Sequence, residues 1–90
     1  MNKLQFGLTI TTHYLGNSSK IKATIKHGFA DKTSSTVSYD HSLGSLENHH
    51  LAATQLINKM IHLHNKQFEI IAYSYNEKDT GYNFIVSRVN

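Results

Sequence analysis

Apolar and polar residues alternate near the start of the chain. Phe6, Leu8 and Ile10 share one parity, and Gly7, Thr9 and Thr11 the other. Successive side chains of a strand point to opposite faces, so this spacing predicts a half-buried strand over about residues 4–13. Gly16-Asn17-Ser18-Ser19 then reads as a turn. Beyond it Ile21, Ala23 and Ile25 face one way while Lys20, Lys22, Thr24 and Lys26 face the other. Two such strands joined by so short a connection pair antiparallel. A polar loop over residues 28–33, carrying Phe29, leads to a third short strand over 34–39 with Val37 and Tyr39 on its core parity.

The period then changes. His49, Ala52, Ala53, Leu56, Met60 and Leu63 recur at three- and four-residue steps, widened by Ile57 and Ile61. That is the apolar stripe of a helix over about residues 45–64. Ser45 is suited to the N-cap and Glu47 to the positive end of the helix dipole. His62 and His64 lie near the negative end, and Asn65 can take the left-handed conformation that stops a helix. Two strands follow, over about 68–75 and 82–89, with a turn over 76–81. The expected fold is α+β: a mostly antiparallel sheet of about five strands in the order βββαββ, with one helix on one face.

One helix covers one sheet face, yet the fourth strand is apolar on both parities. Ile71, Tyr73 and Tyr75 share one, and Phe68, Ile70 and Ala72 the other. In the fifth, Tyr82, Phe84 and Val86 oppose Ile85 and Val89. Part of the open face is therefore expected to be apolar and aromatic. Three readings account for it: a satellite cluster under the long loops, a twisted sheet wrapping on itself, or an interface with a second copy or a partner protein.

Composition narrows the chemistry. A chain of 90 residues with no repeat or linker reads as a single domain over 1–90. It has no Cys, which removes disulfides, thiolate zinc sites and cysteine nucleophiles. No apolar run approaches the ~18 residues of a membrane span. The stretch from Leu4 to Ile10 is broken by Gln5, Gly7 and Thr9, unlike a signal peptide. The expectation is a cytoplasmic protein that does not engage membranes.

Asp40-His41-Ser42 holds the residue types of a nucleophilic triad, but three consecutive residues leaving a strand diverge, whereas a triad converges. Asp40 is better suited to bonding backbone amides at the turn. Of the seven histidines, His49 and His50 point about 100° apart on a helix, and His62 and His64 diverge too. A site assembled from distant His13, His27 and His41 is the remaining metal reading. Neither catalysis, a metal nor a cofactor is expected. Lys20, Lys22 and Lys26 are the clearest electrostatic feature. They either keep an exposed strand soluble or contact phosphate or an acidic protein. Three neutralised phosphates imply a salt slope of only about −2.7, and with Arg88 the single arginine, guanine reading is nearly absent.

The passage over 21–60 resembles in part a double-stranded RNA-binding domain, whose last helix also carries paired alanines. That module's Lys-rich helix start and its first helix are missing here. Tyr14-Leu15-Gly16, Ser19-Lys20-Ile21-Lys22-Ala23-Thr24, Ser38-Tyr39-Asp40-His41 and Glu47-Asn48-His49 with Ala52-Ala53 are similar, in order and spacing, to a group of short phage- and prophage-encoded proteins. The resemblance covers roughly residues 13–56. This chain departs from the group in its longer, His-rich helix end and its Tyr-rich final hairpin. Small phage proteins of this kind include anti-CRISPR proteins, which bind a CRISPR effector complex and block target DNA. The resemblance implies a non-enzymatic inhibitor of a multisubunit type I complex or a Cas nuclease. Lys20, Lys22 and Lys26 would meet acidic protein or guide-RNA phosphate, and Tyr73 and Tyr75 would act as aromatic anchors. The alternatives are an RNA- or DNA-binding accessory protein and a homodimer joined through Ile71, Tyr73 and Tyr75.

Overall fold

The structure is a computed structural model that describes residues 7–27, 31–64, 67–76 and 81–89. Phe6, Phe29 and Asn65 lie outside the described residues, as do the side chains of Lys26, His27, His62, Leu63, His64 and Arg88. The elements are β1 (Gly7–Leu15), β2 (Lys20–His27), β3 (Asp31–Ser38), α1 (Ser45–His64), β4 (Gln67–Asn76) and β5 (Gly81–Val89). All strands lie in one five-stranded sheet of order β3-β2-β1-β5-β4. Every neighbouring pair is antiparallel. The expected α+β order is the observed one.

The alternation of β1 and β2 is the alternation of burial. Ile10, Thr12, Ile21, Ala23 and Ile25 are fully or almost fully buried beneath α1, with Phe84 and Val86 of β5. From the helix come Ala52, Ala53, Leu56, Ile57 and Met60. The alanines let the helix axis approach the sheet closely. At the β1–β2 turn the Ser18 amide donates to the Leu15 carbonyl at 3.1 Å, and Ser19 takes a left-handed φ of 51°. The Ser19 carbonyl then accepts from the Tyr39 amide at 2.9 Å, tying the turn to the chain leaving β3.

Three expectations are corrected. β3 begins at Asp31, inside the stretch read as loop: Asp31, Lys32 and Thr33 pair with His27, Lys26 and Ile25. A backbone ladder at a sheet edge needs no side-chain alternation, so pattern alone misses it. Ser45 is the first helical residue and not the N-cap. The Asn48 amide donates to the Gly44 carbonyl at 3.1 Å, which gives the N-cap position to a residue with no side-chain oxygen.

The third correction concerns β4. Its register against β5 shifts between Ile70 and Ala72, leaving Ile71 as the extra residue of a β-bulge. Before the bulge Ile70 lies opposite Val86; after it Tyr73 lies opposite Phe84 and Tyr75 opposite Tyr82. Directly opposed residues share a sheet face. Phe68, Ile70, Tyr73 and Tyr75 therefore all lie on the helix side, although their sequence parity differs. The far face is polar where β1, β2 and β3 meet, with Thr11, His13, Lys22, Thr24, Ser34 and Thr36 in register. The exposure of β4 has another cause. The helix lies mainly over β2 and β3, less over β1, and least over β4 and β5.

No helix among the described residues is long and apolar enough to cross a membrane.

Candidate interaction surface

The offset of α1 leaves a groove between the first half of the helix and the β4–β5 hairpin. Its volume is about 620 Å³. Leu43, Leu46 and Leu51 form one wall; Ile70, Ile71 and Tyr73 form the other. Phe84 lies between them, and Glu47 and His50 supply polar groups. The His50 and Phe84 ring centroids are 6.0 Å apart, edge to face. Leu51, Ile71 and Tyr73 remain 48%, 54% and 57% exposed, which is unusual for side chains of this size gathered around one groove.

β4 is also an edge strand, and among the described residues no further strand lies beyond it. Its sequence, QFEIIAYSYN, carries no Lys and no Pro to blunt that edge. The opposite edge, β3, is covered in part. There the Lys59 ammonium on α1 donates to the Ser34 carbonyl at 2.9 Å.

The structure separates the residues expected to bind a partner. Lys20 is exposed and Lys22 half-buried. Both lie on the far face, since Ile21 and Ala23 between and beside them point into the core. Tyr73 and Tyr75 lie on the helix face, so lysines and tyrosines do not form one patch. The tyrosines themselves divide. Tyr73 lines the groove, whereas Tyr75 lines a second cleft of about 440 Å³ with Tyr14, Tyr39, His41, Ser45 and His49.

Between the two hollows is a buried polar link that periodicity had assigned to the apolar stripe. His49 is only 2% exposed. Its Nδ1 lies 2.7 Å from the Thr12 hydroxyl oxygen. That oxygen also accepts from the Tyr82 amide at 3.1 Å. Burial lowers the His49 pKa from its ordinary 6.5, and repulsion from His13 lowers it further. A histidine held neutral by folding stabilises the fold fully above its unfolded pKa, and that contribution is lost as pH falls below it. Wild-type stability to urea is therefore expected to fall between about pH 7.5 and pH 5.5, with a shallower fall for His49→Gln. Equal slopes would show that His49 is not the group responsible. Asp40 acts in a different range. Its carboxylate accepts from the Ser42 hydroxyl at 2.6 Å and the Ser42 amide at 2.9 Å. These bonds hold its pKa below 3.8, so its contribution is lost only in stronger acid.

Asp40 engages Ser42 directly, its amide included, as a turn aspartate does, and the His41 ring packs against Tyr39 with centroids 5.1 Å apart. Among the described residues no group of three or more His, Asp or Glu side chains is placed to hold a metal ion.

No protein-family model matches the chain, and neither a curated protein nor a solved structure matches it.

Proposed function

We propose that this protein is a binding module that acts by occupying a partner protein, and that the groove wall of Ile71 and Tyr73 beside the β4 edge is its working surface. One observation carries the proposal: an edge strand presents large apolar side chains on a margin where, among the described residues, no further strand pairs over 67–75. Backbone pairing gives such an edge affinity, and a flanking groove gives it selectivity. The same margin could pair with a second copy of this chain, the reading expected for Ile71, Tyr73 and Tyr75.

The resemblance to short phage proteins narrows the class. On that ground the partner is a CRISPR effector complex, either a multisubunit type I complex or a Cas nuclease, inhibited stoichiometrically in the cytoplasm of the host cell. The net charge of +3 favours contact with acidic protein or guide RNA over imitation of DNA. Lys20 and Lys22, on the far face, become secondary contacts.

Pull-down with purified effector complexes, read beside light scattering, tests both levels. The expected result is retention by one complex, weakened about thirtyfold by Tyr73→Lys, since a central aromatic anchor contributes about 2 kcal/mol or more. Lys20→Ser with Lys22→Ser should change it little. Retention by none of the complexes overturns the effector reading. A stable homodimer dissociated by Tyr73→Lys would then assign the edge to self-association.

A further inference from the structure

Lysines that guard a sheet against edge-to-edge pairing belong on its outermost strands. In this sheet most of them are elsewhere. The edge strand β4 has none, while Lys20, Lys22 and Lys26 lie on β2, between β3 and β1. A strand already paired on both sides needs no such guard.

Register extends the cluster across three strands. Lys22 lies opposite His13 on β1 and Thr36 on β3, and the ladder continues to Lys26 opposite Lys32. These positions share the face away from α1, because Ile21, Ala23 and Ile25, which alternate with the lysines, are buried beneath the helix. Lys20 is exposed and Lys22 half-buried. The positions among them carry hydroxyl groups, with Thr24 set between Thr11 and Ser34. Among the described residues of β1, β2 and β3 no acid shares this face: Asp31, the single acid in these strands, has the helix-side parity. Glu69 does share it, but on β4, three strands from β2.

The arrangement selects its counterpart. Residues two apart on a strand are about 7 Å apart, and neighbouring strands about 5 Å. Cations at that spacing repel one another, and a chain of phosphates, spaced comparably along its backbone, offsets the repulsion. Single strands are held largely by stacking on aromatic rings, and no described far-face position holds Phe, Tyr or Trp. A duplex needs no such platform. Duplex RNA presents phosphates together with 2′-hydroxyls across a wide, shallow minor groove. Ser and Thr hydroxyls both donate and accept, so lysines interspersed with them match that mixture.

We propose that the far face of β1, β2 and β3 binds the backbone of double-stranded RNA. Lys20, Lys22 and the Lys26 and Lys32 positions meet phosphates, and Thr24, Ser34 and Thr36 meet 2′-hydroxyls. Such contacts position a duplex without reading its sequence. This surface lies across the sheet from the groove and does not rest on the partner proposed for it.

Fluorescence anisotropy with a short RNA duplex of mixed sequence, the same sequence as a DNA duplex, and one RNA strand alone tests the proposal. The RNA duplex is expected to bind with a Kd of about 10⁻⁴–10⁻⁶ M and a log–log salt slope of about −3 to −4, as four neutralised phosphates require. The other two probes should bind several-fold more weakly. Lys20→Ser with Lys22→Ser should bring the slope to about −2; if that pair does not fold, Lys20→Ser alone should move it by about one. Thr24→Val with Thr36→Val should keep the slope and remove the preference for RNA over DNA. Tyr73→Ser, in the groove, should change nothing, so the two surfaces are judged separately. Equal affinity for the DNA duplex or the single strand overturns the proposal. So does a slope that the lysine variants leave unchanged, displacement of the RNA by an equal charge concentration of polyglutamate, or no binding at low salt.

Discussion

Gly81→Ala is expected to lower stability by about 3 kcal/mol or more, at or beyond the upper end for overpacked positions. A Cβ at this position would stand 1.7 Å from the Thr12 carbonyl oxygen, 2.6 Å from its carbon and 3.0 Å from the His13 Cα. All three atoms belong to the backbone of β1, the central strand, so no rotamer change relieves the overlap. Either β5 must back away or β1 must bend. Both movements pull the Tyr82 amide from the Thr12 hydroxyl and loosen the support of His49. Small domains are stable by only about 5–15 kcal/mol, so this loss is a large fraction of the whole. Thermal unfolding followed by circular dichroism should fall by about 12–24 °C, at roughly 4–8 °C per kcal/mol for a domain of this size. Gly16→Ala is the control. Its Cβ would meet only the Tyr14 ring, at 3.9 Å, and its midpoint should stay close to wild type. Equal midpoints for the two variants would falsify the close approach of β5 to β1.

The sequence shows the strands plainly where one face is buried and the other wet. β1 and β2 are such strands, and their core residues are those the alternation marks. β4 misleads because a bulge is a change of phase. Phe68 and Ile70 keep one parity and Tyr73 and Tyr75 the other, yet the extra residue Ile71 brings all four to one face. Two apolar parities look like two buried faces when register is unknown. In fact one face is lined throughout, and the helix does not reach across it. Nothing local in the string sets that offset, which depends on how α1 packs against β2 and β3.

The candidate sites were legible in the same uneven way. Tyr73 and Tyr75 stand out as exposed aromatics, and they are exposed. Lys20 and Lys22 lie on the opposite face of the sheet from them. Thr12 was hidden by its type, since a hydroxyl on the core parity of a strand reads as an interruption until its partner is known. That partner is His49, from a different element, so neither residue alone signals the link. The second cleft gathers residues from β1, the β3–α1 connection, α1 and β4, a convergence that only the folded topology creates.

Asn48 gave a signal of its own. Positions 48, 52, 56 and 60 form a four-residue row along α1, and all four are buried, the first being the only polar member. A buried side-chain amide needs partners, and Asn48 has them. Its Oδ1 accepts from the Asp40 amide at 2.7 Å. Its Nδ2 donates to the Gly44 carbonyl at 2.9 Å, the Asp40 carbonyl at 3.0 Å and, more weakly, the Leu43 carbonyl at 3.4 Å. One side chain thus closes the connection from β3 and fixes where α1 starts, on a helix without a side-chain N-cap. Asn48→Ala is expected to destabilise by about 2–4 kcal/mol, as several bonds are lost and their backbone partners are left in a partly buried turn. Asn48→Asp separates shape from hydrogen bonding. It keeps the volume and the acceptor for the Asp40 amide but turns a carboxylate oxygen toward two carbonyls about 3 Å away. The helix dipole favours that charge by only about 0.3–1 kcal/mol, which is less than the loss of both donor bonds and the repulsion that replaces them. Urea midpoints should rank Asn48 first, with the Asp variant no more stable than Ala at neutral pH. Hydrogen exchange at the Asp40 amide gives a local reading: protection should vanish in Asn48→Ala and survive in part in Asn48→Asp, which retains the acceptor. An Asp variant as stable as wild type would show that the donor half of the amide does not hold the turn.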